Sequence, residues 1–143
     1  MKRKPMKLDG AGRIQLSEAD IQDQIIALLE VHGALVLENR SHSVLDQIAG
    51  GGKAKGSPDL IAALPGGRTL WIEVKRPGQK QKPKQIEWQA QLKERGHKYV
   101  LATSIEDLYE LHELHVSVAE QWQGANRRAA LVHHDNLDGS GAV

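Results

Sequence analysis

The sequence predicts an α/β protein with a central mixed sheet flanked by helices. Three observations lead there. Ile21, Ile25, Leu28 and Leu29 recur at i, i+4, i+7 and i+8, which is one face of a helix. Two apolar segments, 59–63 and 68–75, flank the turn signal Pro65-Gly66-Gly67 and read as paired strands. A second helical pattern begins at Pro83 and runs to Gly96, and a further apolar strand, Tyr99 to Ala102, follows it. The expected order is helix, three strands, helix, strand, helix.

Residues 1–15 read as a flexible basic arm that attracts polyanions without specificity. The opening MKRKPMKLDG has no apolar stretch behind its charges, so it is not a signal peptide. Ser17 is a good N-cap, and Glu18, Asp20 and Asp23 suit the positive end of the helix dipole. At about 100° per residue, Glu18 falls inside the apolar arc and Gln22 at its edge. A carboxylate on the buried side needs a partner, a cation or a raised pKa, whereas a first-turn Glu in water needs none. Gly33 ends the helix, and Ala34 to Glu38 forms a short strand.

Segment 39–56 is a long polar loop with Gly50-Gly51-Gly52, Lys53 and Lys55. No Lys-Ser/Thr follows the triple glycine, so it is not a Walker P-loop. A mobile loop is expected, with a lid that orders on nucleic acid as the alternative; His42 within it reads as a solvated side chain. Pro83 is compatible with a first helical turn, which puts Gln85 close to the preceding basic loop. Thr103 or Ser104 caps a last helix carrying Ile105, Leu108, Leu111 and Leu114. From Ser117 onward the pattern weakens to one short helix and a disordered end. His133, His134 and Asp135 include metal-ligating types, but adjacent residues do not share a helix face.

At 143 residues, one domain with loose ends is expected. With 40% apolar residues but only 3% aromatic and no Phe, the core must be aliphatic. The lack of cysteine excludes disulfides, thiolate metal sites and a cysteine nucleophile, and fits a reducing cytoplasm. No apolar run approaches a membrane span. The net charge of +1 does not itself indicate nucleic acid, but its distribution does. Lys75, Arg76, Lys80, Lys82 and Lys84 fall within ten residues that contain no acid, a run that can neutralise phosphates. The bland alternative is a solvated loop.

The chemistry concentrates in Gly56 to Lys75. Residues two apart on a strand share a face, so Glu73 and Lys75 point one way and Ile72 and Val74 the other. Trp71 lies on the Glu73 side, where core packing is its expected role. A hairpin through Pro65-Gly66-Gly67 brings Asp59 to Glu73. Two carboxylates suit a hard divalent cation, Mg²⁺ or Mn²⁺, and an ammonium beside them suits developing negative charge. A carboxylate–lysine pair on a strand is by itself common.

The combined motifs resemble the PD-(D/E)XK nuclease superfamily and, within it, the VRR-NUC domain found in phages, bacteria and the Fanconi-associated nuclease. Pro58-Asp59 with Leu60 is similar to its G-x-PD-L element, and Glu73-Val74-Lys75-Arg76-Pro77-Gly78 to its E-x-K-x-P-G element. Gln85 with Trp88 is similar to its Q-x-x-W, and Ser17-Glu18 with Ile21-Gln22 to its first-helix signature. The resemblance runs from Ser17 to Leu114. It implies a restriction-endonuclease-like αβββαβ core over residues 16–116, with 117–143 as a partly disordered extension. It implies a Mg²⁺- or Mn²⁺-dependent DNA endonuclease of a small stand-alone type, similar to Holliday-junction resolvases. Asp59 and Glu73 would bind the metal with the Val74 carbonyl, Lys75 would be the catalytic lysine, and Glu18 would complete the shell directly or through water. Gln85 would support the site, and Arg76, Lys80, Lys82 and Lys84 would grip DNA. A homodimer acting on branched DNA, in the cytoplasm of a bacterial or phage-infected cell, is the expected setting. A DNA-binding accessory module without catalysis is the alternative, and a sequence-selective restriction-type enzyme ranks behind both.

Overall fold

The computed structural model describes residues 7–40, 48–50, 52–109, 111 and 114. His42, His133, His134, Asp135 and the extension 117–143 lie outside them. The four-stranded sheet has the order β3-β4-β5-β6, with strands at Leu35–Glu38, Leu60–Leu64, Arg68–Val74 and Lys98–Ala102. The first three pair antiparallel and β6 pairs parallel to β5, which makes the sheet mixed, as the sequence predicts.

The strand periodicity decides which side is core. Leu60, Ala62, Leu70, Ile72, Val74 and Ala102 are fully buried and lie on one face. Helix α1, Glu18–Val31, covers that face with Ile21, Ile25 and Leu29. Burial of an aliphatic side chain of this size is worth about 1.5–3 kcal/mol. These contacts supply the stability that three aromatic-poor strands cannot supply alone. The helix begins at a reciprocal cap: Ser17 Oγ accepts from the Asp20 N–H at 3.1 Å, and the Asp20 carboxylate accepts from the Ser17 N–H at 2.9 Å.

The opposite face carries Trp71, Glu73 and Tyr99 in register. Helix α2, Pro83–Glu94, packs against β6 with Leu92 buried. Trp71 meets His97 edge-on at 5.8 Å, in keeping with a packing role. The last described helix, α3, covers Glu106–Tyr109, and Leu108, Leu111 and Leu114 pack on the core. Its start is held by Asp107, whose carboxylate accepts from the Thr103 and Ser104 N–H groups.

Two expectations need correction. Over residues 7–15 the expected flexible arm is a β-hairpin, with β1 at Lys7–Leu8 and β2 at Ile14–Gln15. Asp9 closes its turn by accepting from the Ala11 and Arg13 N–H groups at 2.9 Å each, a local side-chain bond that Asp-Gly sequences favour. Nor is the end of the long loop loose. The Trp88 indole donates to the Lys55 carbonyl at 3.1 Å, and Gly56 lies flat against the first turn of α2.

Gly56 shows how tight that docking is. Its φ is +81°, and a Cβ there would sit 2.6 Å from the Lys84 carbonyl carbon. Gly67 has nearly the same φ, +79°, but open space around it. Gly67→Ala should therefore cost about 1 kcal/mol of backbone strain. Gly56→Ala should cost clearly more, about 3 kcal/mol, because main chain must also move. Urea unfolding of both variants checks the difference; equal losses would mean that the loop is not packed on α2.

Candidate active site

The register that pairs Leu60 with Ile72 places Asp59 across from Glu73, just before the start of β4. Asp59 is held there by main chain. Its Oδ2 accepts from the Val74 N–H at 2.9 Å, and its own carbonyl accepts from the Asn39 N–H at 2.8 Å. The Asn39 side chain also donates to Ser57 Oγ and to the Pro58 carbonyl, both at 2.8 Å, which fixes the Pro58-Asp59 corner. The sequence offers no motif for Asn39; its role depends on a strand end that only the fold brings next to residue 58.

Glu73 is 1% exposed. Gln85 Nε2 donates to its Oε1 at 2.5 Å, and Lys75 Nζ lies 3.4 Å from the same oxygen. Gln85 is itself positioned, because its Oε1 accepts from the Lys82 N–H at 2.8 Å in the first turn of α2. The other Glu73 oxygen, Oε2, is buried with no hydrogen-bond partner among the described residues. Burial, followed by the charge of Asp59, pushes the Glu73 pKa up to about 7, against the opposing pull of Lys53 and Lys75. A buried, unpaired carboxylate oxygen beside a second carboxylate is a position that a cation could occupy. The donor set is all oxygen, so it fits a hard divalent ion.

Lys75 is buried, and its N–H donates to the Ala102 carbonyl at 2.9 Å. Behind the site, Tyr99 accepts from Gln81 Nε2 at 3.0 Å. Burial, and then the charge of Glu73, pushes the Tyr99 phenol up to about 12, so it stays protonated.

Glu18 reaches the site differently from the other carboxylates. It opens α1, which covers the face opposite Glu73, and lines a cavity of about 410 Å³ with Lys75, Gln79, Lys80 and Lys82. Among the described residues no three acidic or imidazole groups are close enough to form a metal cluster. Asp59 and Glu73 meet through the strand register and repel each other electrostatically, whereas Glu18 shares only a cavity lining with Lys75. A second cavity, of about 870 Å³, lies on the α2 side and is lined by Lys53, Lys55, Lys82, Lys84 and Gln85. Of the expected DNA-gripping residues, Lys80, Lys82 and Lys84 line these cavities and Arg76 lines neither.

Sequence reasoning missed Lys53. Its ammonium lies 2.8 Å from Asp59 Oδ1. The one available signal was its place in a loop six residues before a motif carboxylate.

The VRR-NUC domain family matches residues 17–106. The chain belongs to the VRR-NUC domain family, a nuclease family. A protein named "Putative nuclease p44", from Acyrthosiphon pisum secondary endosymbiont phage 1, is 38% identical over 50 residues. That stretch is 35% of this chain, and it spans about half, 54%, of the relative. A solved structure titled "VRR_NUC domain" superposes with a TM-score of 0.53 at 25% identity, covering 66% of this chain and 91% of that one.

The Glu73 environment has a consequence for stability without metal. A carboxyl whose pKa is raised from 4.5 to about 7 holds a proton in the folded state that the unfolded state has lost. Stability should therefore fall as pH rises from about 4.5 to 7, by up to about 3 kcal/mol. Glu73→Gln should abolish that fall and raise the melting temperature above pH 7. Thermal unfolding in EDTA from pH 5 to pH 8 measures it; parallel profiles for the two proteins would show that Glu73 is not the group responsible.

Proposed function

We propose that this VRR-NUC domain is a Mg²⁺- or Mn²⁺-dependent DNA endonuclease that acts on branched DNA as a homodimer. The observation that carries the catalytic part is the convergence of Asp59, Glu73 and Lys75, with Glu73 Oε2 buried and unpaired. Asp59 and Glu73 would hold the cation, with the Val74 carbonyl beside them. When bound, the ion would polarise the scissile phosphate and lower the pKa of a water.

The protein's own groups do the rest. The Val74 N–H and the Gln85 amide fix the two carboxylates, so that neither must reorganise during reaction. Lys75 keeps its positive Nζ 3.4 Å from Glu73 Oε1, where it can orient the attacking water and balance charge on the phosphate oxygens. Lys80, Lys82 and Lys84, on the rims of the two cavities, supply the phosphate contacts of a nucleic-acid track. Arg76 follows Lys75 directly and extends the same basic run. The homodimer and the branched substrate rest on resemblance to small resolvases, because two symmetric sites suit two strands of a junction.

One observation favours the accessory-module alternative. Lys53 already neutralises Asp59, as an ammonium would in a site that never takes metal. The orphaned Glu73 oxygen weighs against it.

Cleavage of labelled linear, flap, splayed and four-way-junction DNA in Mn²⁺ and Mg²⁺ tests the proposal. Asp59→Asn should abolish cutting, and Lys75→Met should lower the rate at least about a hundredfold while retaining DNA binding. Paired symmetric nicks across the junction are the result expected for a dimer. Undiminished cleavage by Lys75→Met would overturn the role given to that residue, and binding without cleavage on every substrate would favour the accessory module.

A further inference from the structure

Lys53 takes part in two features at once. Its Nζ lies 2.8 Å from Asp59 Oδ1, and its side chain also lines the larger, lysine-rich cavity with Lys55, Lys82 and Lys84. The ion pair is largely out of water, with side-chain exposures of 22% for Lys53 and 19% for Asp59. The chain around it is pinned. Ser57 donates to the Ala54 carbonyl from its N–H at 3.0 Å and from Oγ at 2.7 Å. Lys55 is held through its carbonyl by Trp88, and Gly56 is pressed on Lys84. With residues 54–57 pinned, a change of partner by Lys53 needs its side chain to rotate rather than that segment to shift.

The charges decide which partner it takes. With no cation present, two carboxylates face each other and Lys53 offsets part of their repulsion. A divalent ion held by the Asp59 carboxylate would compete with Lys53 for it and would repel the ammonium at close range. The cavity that Lys53 already lines is a space that could accept an anion, where three other lysines would repel Lys53 unless a phosphate is present.

We propose, on the basis of the nuclease assignment above, that Lys53 is a positioning residue that couples metal binding to DNA binding. It occupies Asp59 in the free protein and moves to a DNA phosphate in the lysine-lined cavity when the cation arrives. Each ligand then favours the arrangement the other needs. Such coupling is reciprocal, so DNA tightens metal binding as much as metal tightens DNA binding.

The test measures binding rather than turnover. Free Mn²⁺ is followed by electron paramagnetic resonance as it is titrated into the full chain, wild type or Lys53→Met, without DNA. Met keeps the apolar stem and removes the charge. Lys53→Met should bind Mn²⁺ at least about fivefold more tightly. Fluorescence anisotropy with a labelled short duplex, in EDTA and in Ca²⁺, reads the other half. Ca²⁺ should tighten DNA binding by wild type at least about fivefold and should do so markedly less in Lys53→Met. Lys53→Arg keeps the charge and should restore the wild-type pattern. Melting temperatures of both variants establish that they fold.

Unchanged or weaker Mn²⁺ binding by a folded Lys53→Met, with wild type binding Mn²⁺ through Asp59, would overturn the coupling role and leave the nuclease assignment standing. Equal Ca²⁺ dependence of DNA binding in wild type and Lys53→Met would also overturn it. No Mn²⁺ binding by wild type or variant would overturn both.

Discussion

The burial of the Glu73 carboxylate is the constraint on which the rest of the site depends. A carboxylate at 1% exposure must find hydrogen-bond donors, take a proton or meet a cation. This protein supplies donors to one oxygen, from Gln85 and the nearby Lys75, and among the described residues the other oxygen has none. The placement of the surrounding elements follows from that need. Helix α2 must start where Gln85 reaches Glu73, which brings the basic residues before it to the rim of the site. Asp59 must stand at the start of β4, where the Val74 N–H can donate to it.

The sheet achieves this by giving its two faces different tasks. One is an aliphatic surface sealed by α1, and it carries the stability. The other holds Trp71, Glu73 and Tyr99, and there polar groups are buried against each other rather than against water. A protein so poor in aromatic residues cannot offset many such buried polar groups. The unpaired Glu73 oxygen is therefore a stability cost, and it falls where the proposed cation would bind.

The strands, the two main helices and the central motif residues were legible because they rest on local rules. Period-two alternation separated Glu73 from Val74, the Pro-Gly-Gly turn fixed the hairpin, and Ser17 marked the start of α1. The hairpin at 7–15 was missed because its charge suggested an arm, although the turn chemistry around Asp9 and Gly12 was present in the sequence. Glu18 is half-buried at the start of α1, but where it lies relative to Asp59 and Glu73 depends on how α1 crosses the sheet, which no local pattern encodes. Lys53, Asn39 and the docking of Gly56 on Lys84 were not legible for the same reason. Each joins a loop to an element far along the chain.

The central claim is that Asp59 and Glu73 form a site for one divalent cation. A crystal structure of the protein grown with Mn²⁺, with the ion located by anomalous scattering, tests it most directly. A single ion coordinated by Asp59 and by Glu73 Oε2, with Lys53 withdrawn from Asp59, is the expected result. An ion bound elsewhere, or an unaltered Lys53–Asp59 pair at saturating Mn²⁺, would contradict it.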